Sequence, residues 1–481
     1  MRLQGAISGG DVDRKVRVTE SADTTLVRGS RRYILLAATS IGALLAPLNS
    51  TMIAIALPEI RGDFDVDHAS LGWLISSYLI VMAVAQPLGG RLGDQIGRKR
   101  VIRWALVAFL GFSLASVVAP SFWVLVLFRT GQAIAGAAIM PNGMAMLRTS
   151  LPVSQFSRFN GLHSGVMSTA AAGGPLLGAA VLAAAPWQAL FLVNIPVVAL
   201  ALVLIETLDY DQQPEGSASI DYSGVVLLSA ALVAVTVLLN SLRGGREAVI
   251  ALIATLALGI AFVETQRRAA QPGVAWHLFR LRTFSAATVN VAVMNLVMYT
   301  TLLSVPFFIE ELQGGDSSRT GLLLGSMFVM MALTSPVSGA LADRFGRRAP
   351  VFGGSGITLL GASLLVFGLD IDASFGFLAV ALALVGLGVG SSFGPATAAA
   401  IESASVTEAG AAAGTNSMAR YLGSIVGAGA LAGLLNTEAG AVPEIGSFHT
   451  VMLLIVAMAA AGLVAATMVH RFPSVEVRSS S

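Results

Sequence analysis

The stretch GRLGDQIGRKR runs from Gly90 to Arg100, and a second copy, GALADRFGRR, runs from Gly339 to Arg348. Each copy follows a long apolar run and has a glycine, an aspartate four residues later and then a Gly-Arg pair. Glycine permits tight turns, and clustered Arg and Lys favour the cytoplasmic side of a membrane. The repeat therefore predicts a duplicated membrane protein with both turns on the same side.

The composition is typical of a chain that lies in lipid. Of 481 residues, 55% are hydrophobic and 12% are charged, whereas roughly a quarter are charged in soluble domains. The chain has no cysteine, so disulfides and thiolate metal sites are excluded. No phosphate-binding loop occurs. We therefore expect no enzyme activity, no cofactor, no metal and no nucleic-acid partner.

About fourteen stretches are long and apolar enough to cross a hydrocarbon core of about 30 Å as helices. They lie near residues 34–58, 71–90, 101–119, 122–147, 161–185, 187–205, 222–242, 248–264, 284–309, 321–342, 350–369, 375–401, 409–435 and 448–469. The predicted fold class is an all-α polytopic membrane protein. An even number of spans puts both termini on one side.

The basic residues predict the orientation. Of 29 Arg and Lys residues, 23 lie in segments on the side of the termini, four lie in the opposite loops and two, Arg129 and Arg420, lie within spans. By the positive-inside rule both termini are cytoplasmic, in the cell membrane. Residues 1–32 are polar and lack the apolar core of a signal peptide, so we interpret them as a disordered tail.

The spacing of the repeat predicts the domain organisation. Asp94 and Asp343 are 249 residues apart, whereas six helices with their loops would need roughly 200. Two extra spans therefore lie between two sets of six. We expect an N-terminal six-helix bundle over 33–205, a linker with two extra transmembrane helices over 206–283, a C-terminal six-helix bundle over 284–470 and a second cytoplasmic tail over 471–481.

Five motifs resemble those of the major facilitator superfamily, in its branch of fourteen-helix drug:proton antiporters. The loop Gly90–Arg100 is similar to the signature loop after the second helix. The other four are LNSTMIAIALP (Leu48–Pro58) in the first helix, RTGQAIAG (Arg129–Gly136) in the fourth, GGPLLGA (Gly173–Ala179) in the fifth and AGAAAGTNSMARYLGSIVG (Ala409–Gly427) in the thirteenth. Ala133 and Ala179 replace glycines that the family usually has.

The resemblance implies a secondary active transporter that works by alternating access. It implies proton-coupled export of a small amphipathic drug or metabolite, and we expect the chain to act as a monomer. Two alternatives remain open: an exporter or flippase of a lipid or cell-envelope precursor, and a transporter-like sensor or assembly protein that has lost coupling.

The repeated loops predict a conformational gate. Asp94 can pair with Arg98 and meet the positive end of a neighbouring helix, which would hold the cytoplasmic side closed. Gly90 and Gly97 shape this turn. Asp343 with Arg347 would be a second, weaker copy. The alternative is that the basic residues only set the topology.

Two intramembrane cations predict a central cavity, because a charge within a span costs from about 2.5 kcal/mol upward unless it meets a polar cavity or partner. Arg129 shares a helical face with Gln132, and the resemblance implies a role for this arginine in proton handling. Arg420 follows Asn416 by one turn, and we expect both to face the cavity. The alternatives are snorkelling of Arg129 to the interface and a purely structural pairing of Asn416 with Arg420.

The fifth span predicts a bendable helix at the interface between the halves. Gly174 and Gly178 permit close helix packing, and Pro175 removes a backbone donor. Ordinary packing of small residues explains the same composition equally well.

The proton site is harder to predict, because the related antiporters usually carry an aspartate where this chain has Asn49. An amide cannot titrate, so Asn49 can only hydrogen-bond within the pathway. The best remaining acids are Glu310 and Glu311 at the outer end of the ninth span, and we take Glu310 as the proton carrier. A polar rim is the alternative for both.

The sequence also predicts an adaptable apolar cavity wall with few charges, which favours neutral, zwitterionic or anionic amphiphiles. The candidate lining residues are Gln86, Asn142, Asn194, Asn290, Met294, Asn295, Met298, Tyr299, Met330 and Met331.

Overall fold

The computed structural model describes residues 30–210, 222–241, 245–268, 274–368, 370, 372–405, 408–435 and 443–470. Within these ranges the chain is helical and forms no strand. The helices of the first six spans are α1 (Arg31–Ala43), α2 (Leu45–Ile55), α3 (Leu57–Phe64), α4 (His68–Ile96), α5 (Arg98–Val117), α6 (Phe122–Ser150), α7 (Val153–Leu182), α8 (Ala189–Leu192) and α9 (Asn194–Glu206).

Two inserted helices follow, and then the last six spans. The inserted helices are α10 (Tyr222–Asn240) and α11 (Arg246–Arg268). A short 3-10 helix, Trp276–Arg280, leads into α12 (Arg282–Phe307), which ends in a π-helical turn, Phe308–Leu312. The remaining helices are α13 (Ser317–Phe345), α14 (Arg348–Gly368), α15 (Phe375–Glu402), α16 (Ala409–Leu434) and α17 (Ile445–Thr467).

A helix forms at each of the fourteen predicted spans, which confirms the predicted fold class. Thirteen of these helical segments, counting α1 with α2 and α8 with α9, are long and apolar enough to cross a membrane. The fourteenth, α16, has 26 residues and packs between α4 and α12. Its polar side chains, among them Asn416, Arg420 and Ser424, lower its hydropathy. Residues 1–29, 211–221 and 471–481, which include most of the predicted N-terminal tail, part of the predicted linker and the whole predicted C-terminal tail, lie outside the described residues.

The sequence repeat extends through two whole helices. Both α4 and α13 have 29 residues and an internal proline, Pro87 and Pro336. Each begins at an aspartate whose carboxylate accepts a hydrogen bond from a backbone N–H, as N-capping residues do. Asp67 accepts from Ser70 N at 2.7 Å and Asp316 from Arg319 N at 2.8 Å. Each helix ends at a glycine with positive φ, which is 98° at Gly97 and 88° at Gly346. Caps, prolines and terminal glycines all share the offset of 249 residues.

Two helix pairs make most of the contact between the first six spans and the last six. α4 packs against α16, and α7 packs against α13. A Cβ on Gly72 would lie 2.7 Å from the Ala432 Cβ, and one on Gly325 would lie 2.5 Å from Leu176 Cδ2. Such close approach depends on small residues, because only a small side chain leaves room for two helix backbones to pack directly against each other.

The two ends of the molecule differ in packing. We call the end that holds α3 and the last turn of α12 the α3 end, and the end that holds the two repeated loops the loop end. The close approaches of Gly72 and Gly325 lie towards the α3 end. Glycines whose Cβ would meet nothing within 4 Å lie at both ends, among them Gly62 at the α3 end and Gly339 at the loop end. Among the described residues, the close approaches of glycines between the two six-helix sets lie towards the α3 end, which the charge pattern predicts to be outer.

The inserted helices lie at the seam between the two sets. α10 packs against α11, α16 and α4. α11 exposes a series of large apolar side chains, as expected for a face in contact with lipid. They are Val249, Ile250, Leu252, Ile253, Leu256 and Ile260.

Candidate functional site

A cavity of about 190 Å³ lies between the first six spans and the last six. Its wall comes from α2, α4, α6 and α7 on one side and from α12, α13, α15 and α16 on the other. Five methionines and three tyrosines line it: Met82, Met140, Met167, Met298, Met331, Tyr78, Tyr299 and Tyr421. Among the described residues of this wall, Arg420 is the one with a charged side chain.

Only part of the predicted wall lies at this cavity. Asn295, Met298, Tyr299 and Met331 line it. Asn142 and Asn290 instead join helices, because their amides donate to the Gly89 and Gly462 carbonyls, at 2.7 Å and 2.9 Å. The sequence identifies a polar residue within a span, but the rotation of the helix decides which neighbour it faces.

Hydrogen bonds cross the cavity from one six-helix set to the other. Ser50 Oγ and Tyr299 Oη are 2.6 Å apart. Gln86 Nε2 donates to Tyr421 Oη at 2.8 Å. These uncharged contacts join α2 to α12 and α4 to α16, so any separation of the two sets around the cavity has to break them.

Arg420 lies on the cavity side of α16. Its guanidinium carbon lies 5.0 Å from the centre of the Tyr421 ring, within the range of cation–π interactions. Asn295 Nδ2 donates to the Arg420 carbonyl at 2.9 Å and also to Ser424 Oγ, which fixes the backbone of this turn against α12. Asn416 is buried, and its Nδ2 lies 3.5 Å from Thr397 Oγ1. Arg420 therefore lines the cavity, whereas Asn416 faces α15.

Arg129 is buried one layer behind the cavity wall. Its side chain is 1% exposed, and its guanidinium carbon lies 4.5 Å from the centre of the Tyr78 ring. Nη1 donates to Gln132 Oε1 at 2.6 Å, so the predicted pair forms. Arg129 Nε and Nη2 have no hydrogen-bond partner among the described residues. The depth of the side chain argues against snorkelling, because the guanidinium does not reach the surface.

Asn49 lies away from the cavity. Its Nδ2 donates to Asn194 Oδ1 at 2.7 Å, and Asn194 Nδ2 donates back to Asn49 Oδ1 at 3.0 Å. Asn194 also donates to Ser113 Oγ at 2.7 Å, and Asn49 and Asn194 are 2% and 0% exposed. Asn49 thus belongs to a reciprocal amide pair between α2 and α9.

Small residues of α7 pack against both six-helix sets. A Cβ on Gly174 would collide with Thr51 Oγ1 of α2, and one on Gly178 would lie 3.1 Å from the Met52 carbonyl oxygen. On the side facing α13, a Cβ on Gly321 would lie 3.3 Å from the Pro175 carbonyl oxygen. The three predicted α7 residues therefore lie where this helix crosses α2 and α13.

Both repeated loops contain the predicted ion pair. Arg98 Nη2 lies 2.9 Å from Asp94 Oδ1 beside Gly97, and a Cβ on Gly90 would be in ordinary contact, 3.5 Å from Pro141 Cβ. In the second copy Arg347 Nη1 lies 2.7 Å from Asp343 Oδ1.

The second copy has an additional acid. Arg347 Nε and Nη2 donate to the two carboxylate oxygens of Glu402 at 3.1 Å and 2.7 Å, which ties α14 to the end of α15. A two-pronged contact of this kind is a favourable geometry for arginine and carboxylate. In the described residues, neither loop pair reaches across to the other six-helix set.

The α3 end contains an ion pair between the two sets. Arg61 Nη1 of α3 lies 2.6 Å from Glu311 Oε1 at the end of α12, and both side chains are 10% exposed. His68 Nε2 of α4 lies 3.4 Å from Glu311 Oε2. Glu310, in contrast, accepts a hydrogen bond from Thr320 Oγ1 at 3.2 Å, within the last six spans.

Sequence reasoning missed three residues that the structure places in buried contacts. It counted Arg61 only as a basic residue of an outer loop, and it gave no role to His68. It also gave no role to His163, which is 1% exposed and whose Nδ1 lies 2.9 Å from Ser40 Oγ. The only available signal was an isolated polar residue beside an apolar run, which does not reveal a partner far away in sequence.

The chain belongs to the Major Facilitator Superfamily, whose sequence profile matches residues 39–313 and 287–480. The similarity covers both six-helix sets. With the helical spans, it identifies the chain as a multi-pass membrane protein and a secondary transporter of small molecules.

Bacterial relatives cover most of the chain. The uncharacterized MFS-type transporter YvkA of Bacillus subtilis is 31% identical over 90% of this chain and 95% of its own length. The multidrug resistance protein Stp of Mycobacterium tuberculosis is 30% identical over 84% of this chain and 76% of its own. The tetracenomycin C resistance and export protein of Streptomyces glaucescens is 29% identical over 85% of this chain and 77% of its own.

Solved transporters share the fold. A D-xylose–proton symporter superposes with a TM-score of 0.65 at 12% identity, over 92% of this chain and 98% of its own. An inward-facing bacterial homologue of the lysosomal transporter Spinster superposes with a TM-score of 0.64 at 16% identity, over 92% of this chain and 98% of its own.

Proposed function

We propose that this chain is a proton-coupled exporter of small amphipathic molecules in the fourteen-helix drug:proton antiporter branch. The observation that carries the proposal is the methionine-rich cavity between the two six-helix sets. A flexible thioether wall adapts to ligands of different shape. Relatives named for multidrug resistance and for drug export support the direction. The chain acts as a monomer in the cell membrane, with both termini in the cytoplasm.

Alternating access, in this proposal, moves residues 33–205 against residues 284–470, while residues 206–283 contribute the two inserted helices. The turn of Gly90, Asp94, Gly97 and Arg98 and the pair of Asp343 with Arg347 gate the cytoplasmic side. Gly174, Pro175 and Gly178 let α7 shift against both of its neighbours. The close approaches between the two sets at the α3 end, together with the ion pair of Arg61 with Glu311, support a state closed on the outer side.

The proposed proton and substrate pathway includes Arg129 and Gln132 behind Tyr78, Asn416 and Arg420 on α16, and Asn49 as a hydrogen-bonding member that cannot titrate. Glu310 is the proposed proton carrier. Its position supports this role, because the carboxylate is half-buried at the end of α12 and has a hydroxyl partner in Thr320.

The test is dye transport by the purified chain in proteoliposomes, with and without an imposed proton gradient. We expect gradient-dependent transport that an ionophore abolishes. Glu310→Gln should reduce it to the rate of empty liposomes. Glu247→Gln, which changes an exposed carboxylate at the start of α11, is the matched control and should leave it unchanged. Unaltered gradient-driven transport by Glu310→Gln would rule out Glu310 as the carrier.

The same preparation separates the alternatives. Movement of a labelled lipid between leaflets without dye transport would favour a lipid exporter. Absence of both activities, together with a regulatory defect in cells that lack the gene, would favour a sensor or assembly protein.

A further inference from the structure

The cavity between the two six-helix sets has an unbalanced charge. Arg420 contributes a guanidinium to its wall, and none of the other described lining residues is an aspartate, glutamate, lysine or histidine. Among the described residues, no carboxylate lies within ion-pair distance of Arg420. Three other arginines of the quoted motifs, Arg98, Arg129 and Arg347, each have a side-chain acceptor.

Local contacts hold the Arg420 backbone in place and leave its charge unmatched. Asn295 donates to its carbonyl at 2.9 Å, and the Tyr421 ring lies beside the guanidinium. Tyr421 is in turn fixed by Gln86 at 2.8 Å. A ring face attracts a cation but does not neutralise it, so the positive charge remains available to a ligand.

The remaining wall suits the apolar part of such a ligand. Methionines from both sets surround it, and the hydroxyls of Ser50 and Tyr299 face each other at 2.6 Å across the seam. The cavity volume of about 190 Å³ is somewhat larger than the engineered cavity of about 150 Å³ that accommodates benzene. In this state the cavity therefore has room for one aromatic body.

We propose that the cavity binds amphipathic organic monoanions, with Arg420 receiving a carboxylate and the methionine wall receiving an aromatic or aliphatic body. This inference rests on the proposed transport function and specifies its substrate class. An arginine fork matches both oxygens of a carboxylate, and a charge-assisted hydrogen bond in a site of low dielectric is stronger than a neutral one. A cationic amphiphile of the same shape would meet Arg420 without a compensating acid.

Two probes with the same ring system test the proposal. Phenylacetate has a carboxylate, and 2-phenylethylamine has an ammonium group. Equilibrium binding of each labelled probe is measured on the full chain in nanodiscs, so that neither passive leakage nor proton coupling enters the result. We expect the anion to bind roughly tenfold more tightly than the cation.

Arg420→Gln should weaken binding of the anion roughly tenfold and leave binding of the cation unchanged or tighter. Arg420→Lys keeps the charge and should retain the preference for the anion. The control is Arg344→Gln, which removes an exposed arginine away from the cavity and should change neither affinity.

A second variant keeps Arg420 and alters its surroundings. Gln86→Glu is nearly isosteric and places a carboxylate beside Tyr421, so it should weaken anion binding. This variant tests the proposal whether or not Arg420→Gln folds. Equal or tighter binding of the cation by the natural chain would overturn the proposal, as would binding of neither probe. Anion binding without gradient-driven export would leave this proposal standing and overturn the proposed transport function instead.

Discussion

Asn49 lies in the first-helix motif that resembles the drug:proton antiporters, where an aspartate is usual, and its partners explain how an amide fits there. Asn49 and Asn194 exchange two hydrogen bonds, at 2.7 Å and 3.0 Å, and Ser113 accepts from Asn194. An amide offers both a donor and an acceptor, which a carboxylate does not. The sequence predicted that this position cannot titrate, but it did not indicate the partner, which lies 145 residues away.

We expect the amide pair to stabilise the fold. Asn49→Ala and Asn194→Ala should each lower the free energy of unfolding by about 1 kcal/mol, because each leaves a buried partner without its hydrogen bond. The double variant should lose less than the sum of the two single losses. Thermal unfolding in detergent, followed by tryptophan fluorescence, measures this. Strictly additive losses would show that the two amides act independently.

At the scale of elements, close packing of α7 against α2 depends on where glycine lies. Gly174 faces Thr51 at a distance that leaves no room for a Cβ, whereas a Cβ on the neighbouring Gly173 would meet nothing within 4 Å. The sequence predicted a helix of small residues at an interface. It did not distinguish the two adjacent glycines, because that depends on the rotation of α7 about its axis.

These two glycines form a matched pair for mutagenesis. Gly174→Ala should destabilise the protein by about 1–3 kcal/mol and slow transport, since the added methyl group forces α7 away from α2. Gly173→Ala makes the same chemical change in open space and should preserve both properties. Thermal stability and dye transport are measured on both variants. Equal behaviour of the two would contradict the close approach at Gly174.

The whole molecule is closed at the α3 end, where Arg61 and Glu311 join the two six-helix sets at 2.6 Å. His68 Nε2 lies 3.4 Å from the other carboxylate oxygen of Glu311, and Glu310 directly precedes Glu311 in the chain. A third acid at this end, Glu59, lies on α3. Burial and, to a smaller extent, the charge of Asp63 raise the pKa of its carboxyl group. Breaking a largely buried ion pair by removing one partner is unfavourable, so Arg61 with Glu311 should bias the molecule towards this closed state.

Spin labels can measure this closure, because the natural chain has no cysteine. Labels on Gly62→Cys and Asp372→Cys, exposed positions in the two sets, should report a short distance in the background chain. Glu311→Gln should raise the ratio of the long-distance to the short-distance population roughly tenfold, since it removes the charge that Arg61 meets. Exchange of the pair, Arg61→Glu with Glu311→Arg, should restore the short distance. An unchanged distance distribution in Glu311→Gln would show that the ion pair does not hold this end closed.

The sequence by itself determined the class of fold, the number of spans and the ion pairs within each repeated loop. These follow from local properties: apolar length, the spacing of the repeat and side chains four residues apart, as in Asp94 with Arg98. Only the tertiary structure decided that Asn416 faces α15 rather than the cavity, that Asn49 pairs with Asn194 and that Arg61 meets Glu311. Those contacts join residues far apart in sequence and depend on how each helix is rotated and packed, which hydropathy and spacing do not specify.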